Sequence, residues 1–414
     1  NIPAALTGPA FCINGVTSFN QSGRVSNWKQ DTDAWAVFFQ GTYDITDTLS
    51  LTAGVRYTEE EKTVHAETAL VHDTTGLATP DTNPYNAAIN AASFGSWAHV
   101  FDEDRKTDKL MPAMNLQWEM SDTSLFYISY SEGFKSGGFN AVDDQNPAFL
   151  ADGTVLRTTP GIGFEYEDET AESFEIGGKH TLMDGAMTVN WAMFSSEYMD
   201  QQVSTFVGLG FVVANAASSD IQGIEVDMQW QYSEQLRLGA NVALLDAEYG
   251  EFDSAGCTAA QDSALLGLGT ITASSPVTSA MGCQAKFLPD GTKSGQAQSL
   301  TGDDFGAGYS GSLTADYIQP MSNGLVMFAS ADYNFTDEYK MTGDHDPIDI
   351  HDGFGRVNVR VGVRAENWDF MIYGKNVTDK QVASGAFDIP LASGSHGRYR
   401  APGEMWGGRF TYRF

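Results

Sequence analysis

The sequence predicts an all-β protein, a transmembrane antiparallel β-barrel, and four observations carry that expectation. Segment after segment alternates apolar and polar side chains with period two, the mark of strands whose two faces meet different media. The 414-residue chain holds no apolar run of roughly eighteen residues, which excludes a helical membrane protein. Mean hydropathy is −0.25 although 12% of residues are aromatic, because a membrane barrel hides its apolar surface in alternation. The fourth observation is a regular rhythm of short and long connections.

Strands are expected near 33–46, 49–64, 103–120, 123–135, 170–183, 186–203, 212–232, 235–251, 306–318, 324–338, 354–365, 367–377 and 403–414. In LSLTAGVRYT, Leu49, Leu51, Ala53, Val55 and Tyr57 share one face, and Ser50, Thr52, Gly54, Arg56 and Thr58 the other. In RVNVRVGVR, Val357, Val359, Val361 and Val363 oppose Arg356, Asn358, Arg360 and Arg364. GIEVDMQW and LRLGANVAL repeat the pattern with Ile224, Val226, Met228 and Trp230, then Leu236, Leu238, Val242 and Leu244. Inward-facing Arg56, Arg237, Arg356 and Arg360 are candidates for ladders with acidic neighbours.

The joints DITDTL, EMSDTS, LMDGA, YSEQL, PMSNG and AENW are tight, whereas 65–102, 136–169 and 252–305 are long. Short periplasmic turns and long extracellular loops are the outer-membrane pattern, and soluble sandwiches rarely keep so strict a beat. Residues 1–32 then form an extracellular loop and 33–414 the barrel. Thirteen strands leave the first and last running in one direction, so the chain is expected to be the C-terminal part of a larger barrel.

Charge narrows the function. With 54 acidic against 23 basic residues the net charge is −31, and no nucleic-acid partner is expected. No Gly-x-Ser-x-Gly, His-Glu-x-x-His or Cys-x-x-Cys motif occurs, so no enzymatic role is expected. Residues 1–20 lack the basic start and apolar core of a signal peptide. Cys257 and Cys283 share one long polar segment and are disulfide candidates, two unrelated thiols being the alternative; Cys12 stands alone.

The stretch SLFYISYSEGFKSGGFN begins at a short turn and so rises to the extracellular rim, where Gly133, Gly137 and Gly138 invite a bend. Phe134, Lys135, Phe139 and Asn140 are candidate ligand contacts there, or aromatics of the interfacial girdle. The segment GDHDPIDIHDG gathers Asp344, His345, Asp346, Asp349, His351 and Asp352. Carboxylates suit Ca²⁺ or Mg²⁺ and added imidazole a transition metal. A solvated acidic loop, or cations bridging to lipopolysaccharide phosphates, are the alternatives. No cofactor is required beyond such structural Ca or Mg.

Several stretches resemble TonB-dependent outer-membrane receptors. They are DAWAVFFQGTYDITDTLSLTAGVRYTEEEK, KLMPAMNLQWEMSDTSLFYISYSEGFKSGGFN, ETAESFEIGGKHTLMDGAMTVNWAMF, NAASSDIQGIEVDMQWQYSEQLRLGANVALLDAEY and WDFMIYGKNVTDK, closing with RFTYRF. The resemblance covers nearly all of 33–414 and implies about 13 of an expected 22 strands, a plug domain absent from this chain, and TonB as partner through an N-terminal region. The final aromatics Phe410, Tyr412 and Phe414 resemble the signal read by the barrel-assembly machinery. The implied function is active uptake of a scarce solute across the outer membrane, an iron–siderophore complex by default. The alternatives are a passive 14-stranded channel, or a scaffold or adhesin acting through acidic loops.

Overall fold

The computed structural model describes residues 22–73, 78–80, 98–141, 156–157, 164–207, 210–215, 218–287, 293–389 and 395–414. Among these, thirteen strands follow one another in chain order in one antiparallel sheet. They are β1 (Ser22–Thr46), β2 (Leu49–Asp73), β3 (Ala98–Ser121), β4 (Ser124–Lys135), β5 (Glu169–Leu182), β6 (Met187–Met199) and β7 (Ser219–Gln231). β8 (Leu236–Tyr249), β9 (Tyr309–Pro320), β10 (Val326–Thr336), β11 (Phe354–Arg364), β12 (Trp368–Lys375) and β13 (Met405–Tyr412) complete the wall.

The short turns are built by local chemistry. Oγ1 of Thr46 accepts from the Leu49 amide at 3.0 Å and Oγ of Ser233 from the Leu236 amide at 3.1 Å. Gly185 (φ 91°) and Gly324 (φ 79°) supply the left-handed residue that two other turns need.

Register aligns the polarity of neighbouring strands. Tyr43, Leu51, Leu116, Ile128, Ile176, Met193, Ile224, Leu244 and Tyr309 pair in succession from β1 to β9, an apolar row across nine strands. Such a solvent-accessible belt suits lipid rather than water. On the opposite face Lys179, Asn190, Asp227, Asn241, Ser312, Asn334 and Arg356 form a polar row from β5 to β11. A trough of about 370 Å³ lies on that face beside Lys179, Asp227 and Asn241. The arginine ladders occur in part: Arg237 lies 3.0 Å from Asp316 and Arg360 3.5 Å from Asp332, whereas Arg356 stacks over Phe354.

Several strand boundaries differ from expectation: β2 runs on to Asp73 rather than 64 and β3 starts at Ala98 rather than 103, so the connection expected at 65–102 is shorter. β1 starts at Ser22 rather than 33, because residues 22–32 extend the ladder with 62–72 of β2. The strand expected at 212–232 is split, with residues 210–215 pairing with 202–207 in a separate hairpin and the wall resuming at Ser219. Asp200 (φ 54°) turns the chain out of the sheet, and Nδ2 of Asn215 donates to the Asp200 carbonyl at 2.7 Å to close the excursion. Residues 1–21, with Cys12, lie outside the described residues.

β1, β2 and β3 have 25, 25 and 24 residues, more than twice the roughly ten needed to cross a bilayer at a tilt. Their polarity inverts partway. Up to Tyr57 the odd positions of β2 are apolar; beyond it Glu59, Glu61 and His65 occupy that face, while Val64 and Ala66 on the other face are buried with Phe101, Phe139 and Phe164. The apolar band therefore ends near Tyr57 on β2, and the strands above it enclose a small core.

The row makes a direct expectation. Ile176→Arg, at the middle of the apolar band, costs about 2–4 kcal/mol of barrel stability, whereas Glu225→Gln, at an exposed position of the polar face, changes it by less than about 0.5 kcal/mol. Urea titration of the protein refolded in lipid vesicles distinguishes the two.

Candidate functional site

All the long connections leave the same edge of the wall, and two structures stand on that edge. The first is a knot above β2–β4. Arg105 of β3 is 9% exposed and donates to Glu165 at 2.6 Å, Glu167 at 2.9 Å and Asp168 at 2.8 Å, drawing the 164–168 segment across the rim. Asp168 also accepts from Thr107 Oγ1 at 2.9 Å and the Gly137 amide at 2.8 Å. Lys62 reaches the Gly137 carbonyl at 2.6 Å and Glu60 at 2.8 Å. A Cβ on Gly137 would run into the Tyr166 carbonyl and the Arg105 guanidinium, so the glycines of this stretch let the segment pass close overhead.

This knot determines where the rim residues lie. Phe139 is 5% exposed and packs on Phe164 at a ring separation of 5.5 Å. Asn140, 4% exposed, forms a strand-like pair of bonds with Val213, accepting from its amide at 2.7 Å and donating to its carbonyl at 2.8 Å. Phe134 is half-buried, and Lys135 is exposed, with Nζ 3.8 Å from Glu169. Of the four, Lys135 presents its side chain most openly.

The second structure fills the β8–β9 connection. Thr258 and Gln261 form a capping box at the start of α1 (Ala259–Gly267). Cys257 and Cys283 are joined by a disulfide, with Cα atoms 5.6 Å apart, and a three-stranded sheet of 279–280, 283–287 and 293–297 packs beside it around Leu265 and Ala285. Gln298 couples this module to the next connection: its Nε2 donates to the carbonyls of Gly256 at 2.7 Å and Asp344 at 2.6 Å, while Gln261 donates to its Oε1 at 2.8 Å.

Between the module and the β10–β11 and β12–β13 connections lies a cleft of about 720 Å³ lined by Gln261, Met281, Gln298, His345, Ile348 and His396, among others. His345 sits at its wall under Tyr249, with Nδ1 3.2 Å from both Asp303 and Lys340. Burial, with Lys340 adding to it, holds this imidazole below its ordinary pKa against the pull of Asp303, so it is neutral near pH 7.

The acidic segment divides. Asp346 and Asp349 turn toward His396 of the β12–β13 connection, at 4.0 Å and 2.8 Å, and Asp388 meets the same ring at 3.0 Å. Asp344 contributes its carbonyl to Gln298. His351 stacks on Tyr339 and Asp352 is exposed, so neither joins this convergence. Sequence reasoning missed Asp388, His396, Gln298, Arg105 and Asp168, which share no motif and meet only through the fold. At the last strand Phe410, Tyr412 and Phe414 are all exposed, with Phe410 6.3 Å from Trp368.

Two expectations follow from these ties. Burial raises the pKa of Asp168, but the Gly137 amide, Arg105 and Thr107 outweigh it and hold the group below its ordinary value. Its contribution is thus present above the ordinary carboxylate range and lost as pH falls through the folded value. Asp168→Asn loosens the 164–168 segment by about 1–3 kcal/mol at pH 7 and removes its acid sensitivity, read as protease cleavage of the rim against pH. Cys257→Ser with Cys283→Ser removes a cross-link spanning 26 positions. That loss is about 3–4 kcal/mol on the chain-entropy model, read as faster cleavage within 252–300 while the barrel remains heat-modifiable on gels.

Against known proteins, a family model described as TonB dependent receptor-like, beta-barrel, matches residues 9–377. The fold is similar to the ferric yersiniabactin uptake receptor FyuA from Yersinia pestis, with TM-score 0.64 and 14% identity over 94% of this chain and 47% of that one. It is similar to the siderophore receptor PiuA from Acinetobacter baumannii, with TM-score 0.58 and 14% identity over 92% and 43%. The ferric-catecholate import receptor Fiu from E. coli K12, in its closed form, matches with TM-score 0.56 and 13% identity over 94% and 45%. The chain thus spans about half the length of these receptors. It belongs to the TonB-dependent receptors, whose β-barrels lie in the outer membrane of Gram-negative bacteria.

Proposed function

We propose that the protein captures a scarce solute at its extracellular edge and passes it through the barrel at the expense of energy delivered by TonB. An iron–siderophore complex is the cargo class we favour. The observation that carries this reading is the cleft of about 720 Å³ between three long connections, open at the edge and lined by both polar and apolar side chains. Its volume suits a chelate of several hundred daltons, and Met281 and Ile348 beside Gln261 and Gln298 offer the mixed surface that such a ligand needs. The three fold neighbours, a ferric yersiniabactin uptake receptor, a siderophore receptor and a ferric-catecholate import receptor, support the same cargo class. TonB would engage an N-terminal region outside this chain, and a plug domain from the same region would close the lumen.

In this mechanism the wall contributes the polar row that faces the lumen, and the tied connections hold the capture site in shape before the solute arrives. A preformed site spares the ligand the entropy of ordering loops.

The test is energised uptake in cells grown under iron limitation, with radiolabelled iron supplied as hydroxamate, catecholate and citrate chelates. Deleting the receptor, or TonB, is expected to reduce accumulation of at least one chelate to background. Ile348→Trp, which narrows the cleft, is expected to weaken that uptake at least tenfold with receptor abundance unchanged. Accumulation that runs down a gradient and persists without TonB would overturn the reading.

A further inference from the structure

We propose that Asp346, Asp388 and His396 bind a divalent transition-metal ion that clamps the β10–β11 connection to the β12–β13 connection. One ligand atom from each of the three lies within 4.8 Å of the other two. Asp346 comes from one connection and Asp388 and His396 from the other, so an ion held here joins segments about forty residues apart in sequence. The inference rests on these side chains and stands whether or not the protein transports iron.

The imidazole is prepared for the role. Nδ1 of His396 is 2.8 Å from Oδ2 of Asp349, an arrangement in which the ring donates to the carboxylate and keeps Nε2 as the free lone pair. Nε2 stands 4.0 Å from Oδ2 of Asp346. Two donors at about 2.1 Å from a tetrahedral ion are roughly 3.4 Å apart, so a closure of about half an ångström suffices. Asp349 is a positioning residue here, acting through His396.

The second observation concerns carboxylate oxygens without donors. Asp349 is 0% exposed, yet its Oδ1 accepts no hydrogen bond, the Arg398 Nε standing 3.5 Å away. Oδ1 of Asp388 is likewise a buried atom without a hydrogen bond: it lies 3.0 Å from the same Nδ1 of His396 whose proton goes to Asp349. Leaving buried charged acceptors unsatisfied is costly, and among the described residues the cationic partners of these three carboxylates are Arg398 and His396. A doubly charged ion supplies the missing positive charge.

The donor set selects the metal. Two carboxylates with one imidazole suit Zn²⁺ or Mn²⁺ better than Mg²⁺ or Ca²⁺, which favour all-oxygen sites. The six-residue set expected from the acidic segment is thereby redrawn: Asp346 stays as a ligand, Asp349 becomes the support of a ligand, and Asp388 and His396 enter from another connection.

The experiment is calorimetric titration of the full-length receptor in detergent, stripped with EDTA, using Zn²⁺, Mn²⁺ and Ca²⁺ separately. One Zn²⁺ or Mn²⁺ per chain is expected, with Ca²⁺ at least tenfold weaker. His396→Gln and Asp388→Asn are expected to weaken binding at least a hundredfold, Asp349→Asn about 10–100-fold, and His351→Gln not at all. Should the variants assemble poorly, pulsed electron paramagnetic resonance of the Mn²⁺-loaded wild type is expected to show coupling to one imidazole nitrogen. No saturable binding, binding indifferent to His396 and Asp388, tighter Ca²⁺ binding, or no nitrogen coupling would each overturn the proposal.

Discussion

Hydrocarbon offers no hydrogen bonds, so every backbone amide and carbonyl within it must find its partner in the protein. That constraint shapes the wall. It requires continuous ladders, and ladders with period-two side chains force each strand to present one face to lipid and the other to the lumen. The apolar row from Tyr43 to Tyr309 shows how far the register carries this rule: nine strands agree on which face is greasy. A slip of one residue in any ladder would turn that strand's charges into the bilayer, which is why the register is strongly specified.

Above the bilayer the same strands obey the opposite rule. Beyond Tyr57 water surrounds the outside of β2, so Glu59, Glu61 and His65 replace apolar residues there, and Val64 and Ala66 turn inward to a core with Phe101 and Phe164. Freed from the bilayer, the connections are held by specific ties instead: Arg105 with its three carboxylates, the Cys257–Cys283 disulfide and the Gln298 amide. Each joins segments remote in sequence, and together they shape a rim with a cleft in it.

The wall was largely legible in the sequence because period-two alternation over eight or more residues is hard to mistake. All thirteen wall strands fall where alternation placed them, apart from the longer start of β1, the extension of β2 to Asp73 and of β3 back to Ala98 into the connection expected at 65–102, and the break before Ser219. The rim was less legible for physical reasons. Residues 252–305 read as one polar connection because Leu265, Ala285 and Leu300 are scattered among Ser, Thr and Gly with no sustained period, and only the disulfide candidates hinted at a folded module. Phe139 and Asn140 resembled a binding lip, but the segment that covers them returns from 164–168, a pairing no local pattern announces. Asp388 and His396 meet Asp346 only through the fold, so the acidic segment showed half of the convergence and drew in His351 and Asp352, which lie elsewhere.

The inversion of polarity along β2 is the point on which the wall, the rim and the site above it all depend. It is tested most directly by a nitroxide scan of positions 49–68 in the receptor reconstituted in liposomes, comparing collisions with oxygen and with a water-soluble nickel chelate. Odd positions from 49 to 57 are expected to favour oxygen; from 59 upward the odd positions are expected to favour the chelate, with 64 and 66 shielded from both. Oxygen-favouring odd positions continuing past 61, or no change of pattern near Tyr57, would contradict the inversion and with it the boundary between wall and rim.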